Sequence, residues 1–317
     1  MVLETAQSQA SRPFRNHPAR DAPRLLHFAR PLAMPARSYV TIGLVGPDRT
    51  GAIAAVTQQL FRMGANIESL EEQVARGKFR MTLLASWPGS KLDQRRISSE
   101  LESLARHLRM KLTLRLADSS RTRRRLAILV SKETHAAESI LRAWKSRRLN
   151  AQPVLLAGNH PQLRTLARRF RLPFASIDYR DRQKAEASLQ SHLEKAQVDL
   201  VVLARFMKIL SPDFVWHWKN RILNIHPSLL PAFPGASAYR QAYDKGVKIV
   251  GVTAHFVTPD LDQGPILCQD ALRLRPNEPL PSIIARGQKL EASCLLRALK
   301  LCLSRQLDIH WGRVHGV

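Results

Sequence analysis

Three polar residues in the C-terminal half have the types and spacing needed to promote attack on a carbonyl group. Asn224 and His226 are two residues apart, so on an extended backbone both side chains point to the same side. An asparagine amide can donate a hydrogen bond to a developing oxyanion, and a histidine can move a proton near neutral pH. Asp262 can orient or deprotonate a water beside them. The set suits a tetrahedral intermediate formed by water. It has no Ser or Cys in a nucleophile context and no spaced pair of metal ligands, so we expect neither a metal nor another cofactor.

Each of these residues also has a purely structural interpretation. An Asn-x-His sequence at a strand end can cap a turn, and Asp262 before Gln263-Gly264 can form one. Ser211 and Pro212 can be no more than the N-cap and first residue of a helix.

The elements around these residues predict an α/β fold with a doubly wound, mostly parallel sheet. Apolar strands alternate with helical segments from residue 125 onward, and the strand 198–203 is the most apolar of the chain. Ligands of such sheets bind at the carboxyl ends of the strands. The segments after residues 203, 223 and 257 are therefore where we expect the site.

A smaller domain precedes this one. Strands are predicted at 39–45, 66–75, 78–87 and 111–116, and helices after Gly51 and at 93–107. The order βαββαβ indicates a ferredoxin-like sheet with two helices on one face.

Composition sets the boundaries. A length of 317 residues favours two domains. We expect a disordered, proline-rich leader at 1–37, the first domain at 38–118, a linker at 119–125 and the second domain at 126–317. We expect a cytoplasmic protein. The leader is basic and poor in acids, so a mitochondrial or other organellar location stays open if residues 1–37 are a transit peptide, and so does an extension with no role.

The net charge of +25 raises the question of a nucleic acid partner. The charge is spread over the chain, and its one tight arginine run, 121–125, lies where a linker is expected, so no nucleic acid partner is predicted. No apolar run reaches the ~18 residues of a membrane span, and no membrane partner is expected. Cys268, Cys294 and Cys302 match no disulfide framework or zinc pattern.

Two segments resemble known families. Residues 46–53, Gly-Pro-Asp-Arg-Thr-Gly-Ala-Ile, followed by Gly64-Ala65-Asn66-Ile67, look like an ACT domain. Residues 224–235, together with 255–258 and 261–265, resemble the formyltransferase fold family, which handles 10-formyltetrahydrofolate with an Asn, His and Asp set. An ACT domain ahead of such a domain is the arrangement of the formyltetrahydrofolate deformylase family.

The resemblance implies hydrolysis of 10-formyltetrahydrofolate to formate and tetrahydrofolate. This reaction supplies formate for purine synthesis and balances the one-carbon pools. By carry-over, Asn224 is the oxyanion donor, His226 the proton shuttle and Asp262 the group that holds water and His226. The pteridine is expected to lie against backbone and apolar groups. The expected substrate-binding residues are Arg205, Phe206, Met207, Ile209, Leu210, His255, Thr258 and Gly264.

Two rival functions remain at this point. One is a glycinamide ribonucleotide formyltransferase, but residues 131–135, Ser-Lys-Glu-Thr-His, lack the glycine of a phosphate loop and place Glu133 there. The other is a non-catalytic amino-acid sensor, against which the intact Asn224, His226 and Asp262 argue. For the ACT domain, subunit pairing into a homo-oligomer is favoured over binding of an amino-acid effector.

Overall fold

The computed structural model describes residues 37–89, 92–116, 123–304, 307–310 and 312–315. Of the predicted leader 1–37, Arg37 belongs to the first strand, and residues 1–36 lie outside the described residues. Most of the predicted linker 119–125 lies outside them too. Both domains belong to one compact unit, Arg37–Val317.

The N-terminal domain has the predicted βαββαβ order in an antiparallel sheet arranged β2-β3-β1-β4. Its elements are β1 Arg37–Pro47, α1 Ala52–Arg62, β2 Asn66–Ala75, β3 Lys78–Pro88, α2 Gln94–His107 and β4 Lys111–Leu116.

Alternation along β1 gives this sheet two different faces. Val40, Ile42 and Leu44 are almost fully buried and pack in one core with residues of α1 and α2. Tyr39 and Thr41 are only partly buried and line a cavity on the other face. One face thus holds the helices, and the other is left for the second domain.

The second domain is a seven-stranded sheet in the order β11-β10-β9-β8-β5-β6-β7, parallel from β9 to β7 and antiparallel at β10 and β11. Its strands are β5 Arg124–Val130, β6 Ala151–Gly158, β7 Phe174–Ser176, β8 Leu200–Leu203, β9 Ile222–His226, β10 Ile249–Phe256 and β11 Ile266–Arg273. Its helices are α3 His135–Lys145, α4 Leu163–Arg169, α5 Arg182–Lys195, α6 Pro212–His217, α7 Ala238–Asp244 and α8 Leu280–Ser304. A short hairpin, β12 Asp308–His310 and β13 Arg313–His315, follows.

Helices cover both faces of this sheet, as a doubly wound fold requires. One core packs α3, α4 and α8 against the sheet, and the other packs α5 and α6. The inner strands β5, β8 and β10 are buried on both sides along almost their whole length, which explains their continuous apolar runs.

Three features differ from the sequence predictions. β5 begins at Arg124 and pairs there with Ala151, so the predicted linker is two residues too long. Asn224 and His226 are the last residues of β9 rather than residues beyond it. β10 is antiparallel, so its carboxyl end lies beside Leu223 and not at the edge where β8 and β9 end. The sequence also left β7, α7, β11, α8 and the terminal hairpin unassigned.

Candidate active site

Most of the predicted site residues surround one cavity of about 260 Å³, at the carboxyl ends of β8 and β9 and beside His255 of β10. The lining includes all three expected catalytic residues and seven of the eight expected substrate-binding residues: Asn224, His226, Asp262, Arg205, Phe206, Met207, Ile209, Leu210, His255 and Thr258. Gly264 is the exception.

His255 fixes the orientation of the Asn224 amide. The two residues lie opposite each other on β10 and β9. The Nδ1–H of His255 donates to the carbonyl of Phe256 at 3.0 Å, which leaves Nε2 as an acceptor for Asn224 Nδ2 at 3.1 Å. Burial lowers the pKa of His255, so the ring is neutral at pH 7. One N–H of Asn224 is thereby held by His255, and the other is free for a ligand.

His226 is held on both ring nitrogens. Its Nε2–H donates to the carbonyl of Phe233 at 3.0 Å, and Nδ1 lies 3.3 Å from Asp262 Oδ2. An imidazole nitrogen can give up or take a proton, and a neighbouring carboxylate can take one or stabilise the imidazolium. The Nδ1–Oδ2 pair is therefore the proton-handling centre of the cavity. Phe233 has no polar side chain, so sequence reasoning had no signal for this backbone contact.

The loop after β10 brings Asp262 back over the sheet to His226. Asp262 has φ 56°, in the left-handed region that Asp tolerates better than most residues, and its Oδ2 accepts from Gly235 N at 2.8 Å. A Cβ on Gly264 would lie 1.7 Å from the carbonyl oxygen of Phe256. Gly264 therefore packs this loop closely on β10, and its role in substrate binding stays a prediction.

The apolar wall of the cavity is a segment fixed at both ends. Met207 N donates to Ser131 Oγ at 3.0 Å, and Ser211 N donates to Glu186 Oε1 at 2.6 Å. Ser211 also caps α6 by accepting from Phe214 N at 3.2 Å, as its N-cap interpretation predicted. Between these anchors Met207 and Ile209 stay more than half exposed. Such a wall suits a flat, partly apolar ligand.

Arg205, at one end of this wall, is bound into a buried charge network. Its Nε lies 2.9 Å from Glu133 Oε2 and 3.6 Å from Glu291 Oε2, and Glu291 is fully buried. Burial lowers the pKa of Arg205, but the charges of Glu291 and Glu133 outweigh that and raise it. Tyr239 Oη donates to Glu291 Oε1 at 2.9 Å, and His135 Nε2 lies 3.1 Å from Glu291 Oε2. Sequence reasoning singled out Glu133 but missed Glu291 and Tyr239, which lie far along the chain from it.

The described residues contain no group of three or more His, Cys, Asp or Glu arranged to hold a metal ion. Within the same part of the chain, no helix is long and apolar enough to cross a membrane.

Comparison with known proteins matches the two domains separately. Residues 124–299 match the family model described as "Formyl transferase", and residues 38–115 match the ACT domain model. The formyltetrahydrofolate deformylase of Bacillus subtilis is 36% identical over 275 residues, covering 83% of this chain and 89% of that protein.

Solved structures give the same picture. A formyltetrahydrofolate deformylase from Pseudomonas syringae aligns with a TM-score of 0.59 at 28% identity, covering 88% of this chain and 93% of that one. Glycinamide ribonucleotide transformylase 1 from Symbiobacterium toebii aligns with a TM-score of 0.58 at 33% identity, covering 93% of its own chain but 61% of this one.

Proposed function

The chain belongs to the formyltetrahydrofolate deformylase family, and we propose on that basis that it hydrolyses 10-formyltetrahydrofolate to formate and tetrahydrofolate. The observation that carries the proposal is the placement of Asn224, His226 and Asp262 around one cavity, each held by its own hydrogen-bond or ion-pair partner. The deformylase of Bacillus subtilis aligns with 83% of the chain, whereas the transformylase aligns with 61% of it. The products connect the enzyme to purine synthesis and to the balance of one-carbon pools.

Asn224 is proposed as the oxyanion donor. Since His255 Nε2 takes one N–H of the amide, the second N–H is preorientated for the formyl oxygen. A fixed donor of this kind stabilises the tetrahedral intermediate without reorganising, which is the main source of its catalytic effect.

His226 and Asp262 are proposed to move the protons. The proposed cycle starts with one proton on His226 Nδ1, which lies 3.3 Å from Asp262 Oδ2. As a water oxygen bonds to the formyl carbon, the second carboxylate oxygen of Asp262 takes a proton from that water. When the bond from carbon to N10 breaks, the proton on His226 Nδ1 passes to N10. The pair again holds one proton, and the formic acid released ionises to formate in water.

Water is proposed as the acceptor because the ends of β5 and β8 offer no place for a phosphate. A ribonucleotide acceptor needs backbone N–H groups at a glycine-rich turn. Here Glu133 puts a carboxylate at that turn, and it is bound by the partly buried Arg205. The guanidinium of Arg205 is also next to Glu291, so it is neutralised by two acids rather than free for an incoming anion.

The test is an assay of formate release from 10-formyltetrahydrofolate with and without glycinamide ribonucleotide. We expect equal rates of formate release and no formylated ribonucleotide. Formylglycinamide ribonucleotide as the main product would replace the hydrolase proposal with the transferase, and absence of any turnover would favour the non-catalytic sensor.

We propose that the reaction needs no metal, because the imidazole nitrogens in the cavity are already committed. His226 uses Nε2 on Phe233 and Nδ1 on Asp262, and His255 uses Nδ1 on Phe256 and Nε2 on Asn224. Dialysis against EDTA is expected to leave formate release unchanged. A loss restored by one added metal would contradict this.

We propose that the ACT domain joins subunits into a homo-oligomer through its sheet edge. β2 is an edge strand with exposed Ile67 and Val74. Sedimentation of the full chain and of Val74→Lys is expected to show fewer subunits for the variant.

An amino-acid effector at the ACT domain, and a cytoplasmic location, stay predictions. The location is tested by following a C-terminal tag with residues 1–36 present or removed.

A further inference from the structure

A second cavity, here called the interdomain cavity, lies between the open face of the ACT sheet and the second domain. Its volume is about 600 Å³. Tyr39 and Thr113 line it from the ACT sheet, and Trp216 lines it from α6. It shares no lining residue with the active-site cavity.

The domains are held together around this cavity by side chains of α6 and its C-terminal extension. Asp213 pairs with Lys78 and with Arg80, whose Nη2 lies 2.7 Å from Asp213 Oδ1. Lys219 pairs with Glu71. These contacts fix the position of the ACT sheet on the second domain.

The charges that line the interdomain cavity do not balance. Both acids on its wall are engaged, because Glu71 pairs with Lys219 and Asp199 accepts from Arg125 N at 2.7 Å. Three arginines also line it: Arg115, Arg124 and Arg221. Within the part of the chain that the structure describes, none of the three has an ion pair, and Nη2 of Arg221 is buried without a hydrogen-bond partner.

Two of these guanidinium groups are brought together by one aromatic ring. The Cζ atoms of Arg115 and Arg221 lie 4.4 Å and 4.1 Å from the ring centroid of Trp218. Burial lowers the pKa of Arg115 to about 10, only partly offset by Glu194 and Asp199. Stacking on a ring recovers part of the desolvation cost of a guanidinium, but it satisfies none of the N–H donors at its edge.

We propose that the interdomain cavity binds a small, multiply charged anion carrying phosphate or carboxylate groups. Planar guanidinium groups pair with both chemistries through two parallel hydrogen bonds. The volume is ample for an anion from the size of citrate to that of a nucleoside monophosphate. The hydroxyl groups of Thr41, Ser69 and Thr82 supply neutral donors along the ACT wall.

The position of the cavity connects it to the catalytic elements. Arg221 directly precedes β9, which ends in Asn224 and His226, and α6 directly follows the apolar wall that ends at Ser211. A bound anion would therefore contact the two segments that continue into the active site, on the side away from the active-site cavity.

Titration calorimetry on the full chain tests the proposal, with inorganic phosphate, pyrophosphate, citrate and adenosine monophosphate as probes. Saturable binding of at least one probe, at one site per chain, is expected. Since a hydrogen bond to a charged group contributes about 1.5–3 kcal/mol, Arg221→Gln is expected to weaken binding roughly 10-fold or more. Arg124→Gln serves as the second variant, because Arg124 is exposed and its replacement does not disturb the core.

Arg95→Gln is the matched control, since Arg95 is exposed on α2, behind the opposite face of the ACT sheet. It is expected to bind the probes like the unchanged chain. Tighter binding of adenosine monophosphate than of citrate would assign the ligand to phosphate esters, and the reverse order to polycarboxylates. Absence of saturable binding by every probe, or equal binding by the unchanged chain, Arg221→Gln and Arg124→Gln, would overturn the proposal.

Discussion

The two cavities of this protein treat their polar groups in opposite ways. In the active-site cavity every catalytic side chain has a partner: Asn224 has His255, His226 has Phe233 and Asp262, and Asp262 has Gly235. In the interdomain cavity the basic side chains exceed the engaged acids, and a buried guanidinium nitrogen has no partner among the described residues.

The difference follows from what each cavity has to do. A formyl amide is neutral and brings no charge to balance those of its site. The polar groups of that site must therefore be paired before the substrate binds, and their extra stabilisation is needed only in the transition state. Uncompensated positive charge is costly to bury, and it is stabilised when an anion arrives. The predictions below test each half of this comparison.

Asp262→Asn is expected to have the largest effect. The change keeps the shape but removes the charge and the base beside His226, so turnover should fall on the order of 10²–10⁴. Folate binding should persist, because the apolar wall is untouched. The measurement is formate release, with Asp260→Asn, exposed in the same loop, as the control. Near-normal turnover of Asp262→Asn would contradict the proposed role of Asp262 in proton transfer with His226.

The pH dependence of stability tests the burial of His217, which lines the interdomain cavity. Burial, with a contribution from Arg115, lowers the pKa of His217 to about 4. In the unfolded chain His217 takes up its proton near pH 6.5. The contribution of its burial to the free energy of unfolding is therefore full above that pH, and it falls by about 3 kcal/mol as the pH drops toward 4. Urea unfolding at pH 7, 6, 5 and 4 measures this. The loss should shrink in His217→Gln but not in His192→Gln, an exposed control. Equal losses in all three proteins would contradict it.

His255→Phe probes the orientation of the oxyanion donor. Without an acceptor at Nε2, the Asn224 amide is free to rotate, and we expect kcat to fall about tenfold with little change in KM. His255→Gln restores an acceptor oxygen and should recover part of the rate. A variant that lost stability but kept its kcat would reduce His255 to a packing role.

Asp213→Asn should give the smallest effect, on the contact between the domains. It leaves Arg80, whose side chain is 10% exposed, without its carboxylate, and we expect a loss of about 1 kcal/mol in the free energy of unfolding. Asp178→Asn, which breaks a pair exposed on both sides, should cost almost nothing. Equal costs would mean that the interdomain pair is no more than a surface contact.

Local sequence signals predicted most of the fold because they reflect local physics. Alternation and apolar runs located β1 to β5 and β8, and Ser211-Pro212 located the start of α6. The terminal segments were left unassigned for different reasons. β11 alternates only weakly. α8 has a helical period, with Arg286, Lys289, Ser293, Arg297 and Lys300 on one side, and that signal was missed.

Contacts between distant residues account for what the sequence did not reveal. Asn224, His226 and Asp262 were predicted from their types, and the cavity contains all three. The antiparallel direction of β10, the carbonyl of Phe233 behind His226 and the pairing of Arg205 with Glu291 depend on chain returns that no local pattern encodes. The close approach of Gly264 to the carbonyl of Phe256 is another such contact.

The position of α8 has a consequence for how the protein emerges from the ribosome. β1 to β4 pair with one another within residues 37–116, so the ACT domain can fold as soon as that segment is exposed. The second domain must wait, because α8 near the C-terminus packs in the same core as α3 and supplies Glu291 to His135 and Arg205. Until α8 is synthesised, one face of the large sheet stays uncovered, and His135, Arg205 and Tyr239 all lack their contact with Glu291. We therefore expect nascent chains stalled before residue 280 to carry a protease-resistant N-terminal domain and an open, chaperone-dependent remainder.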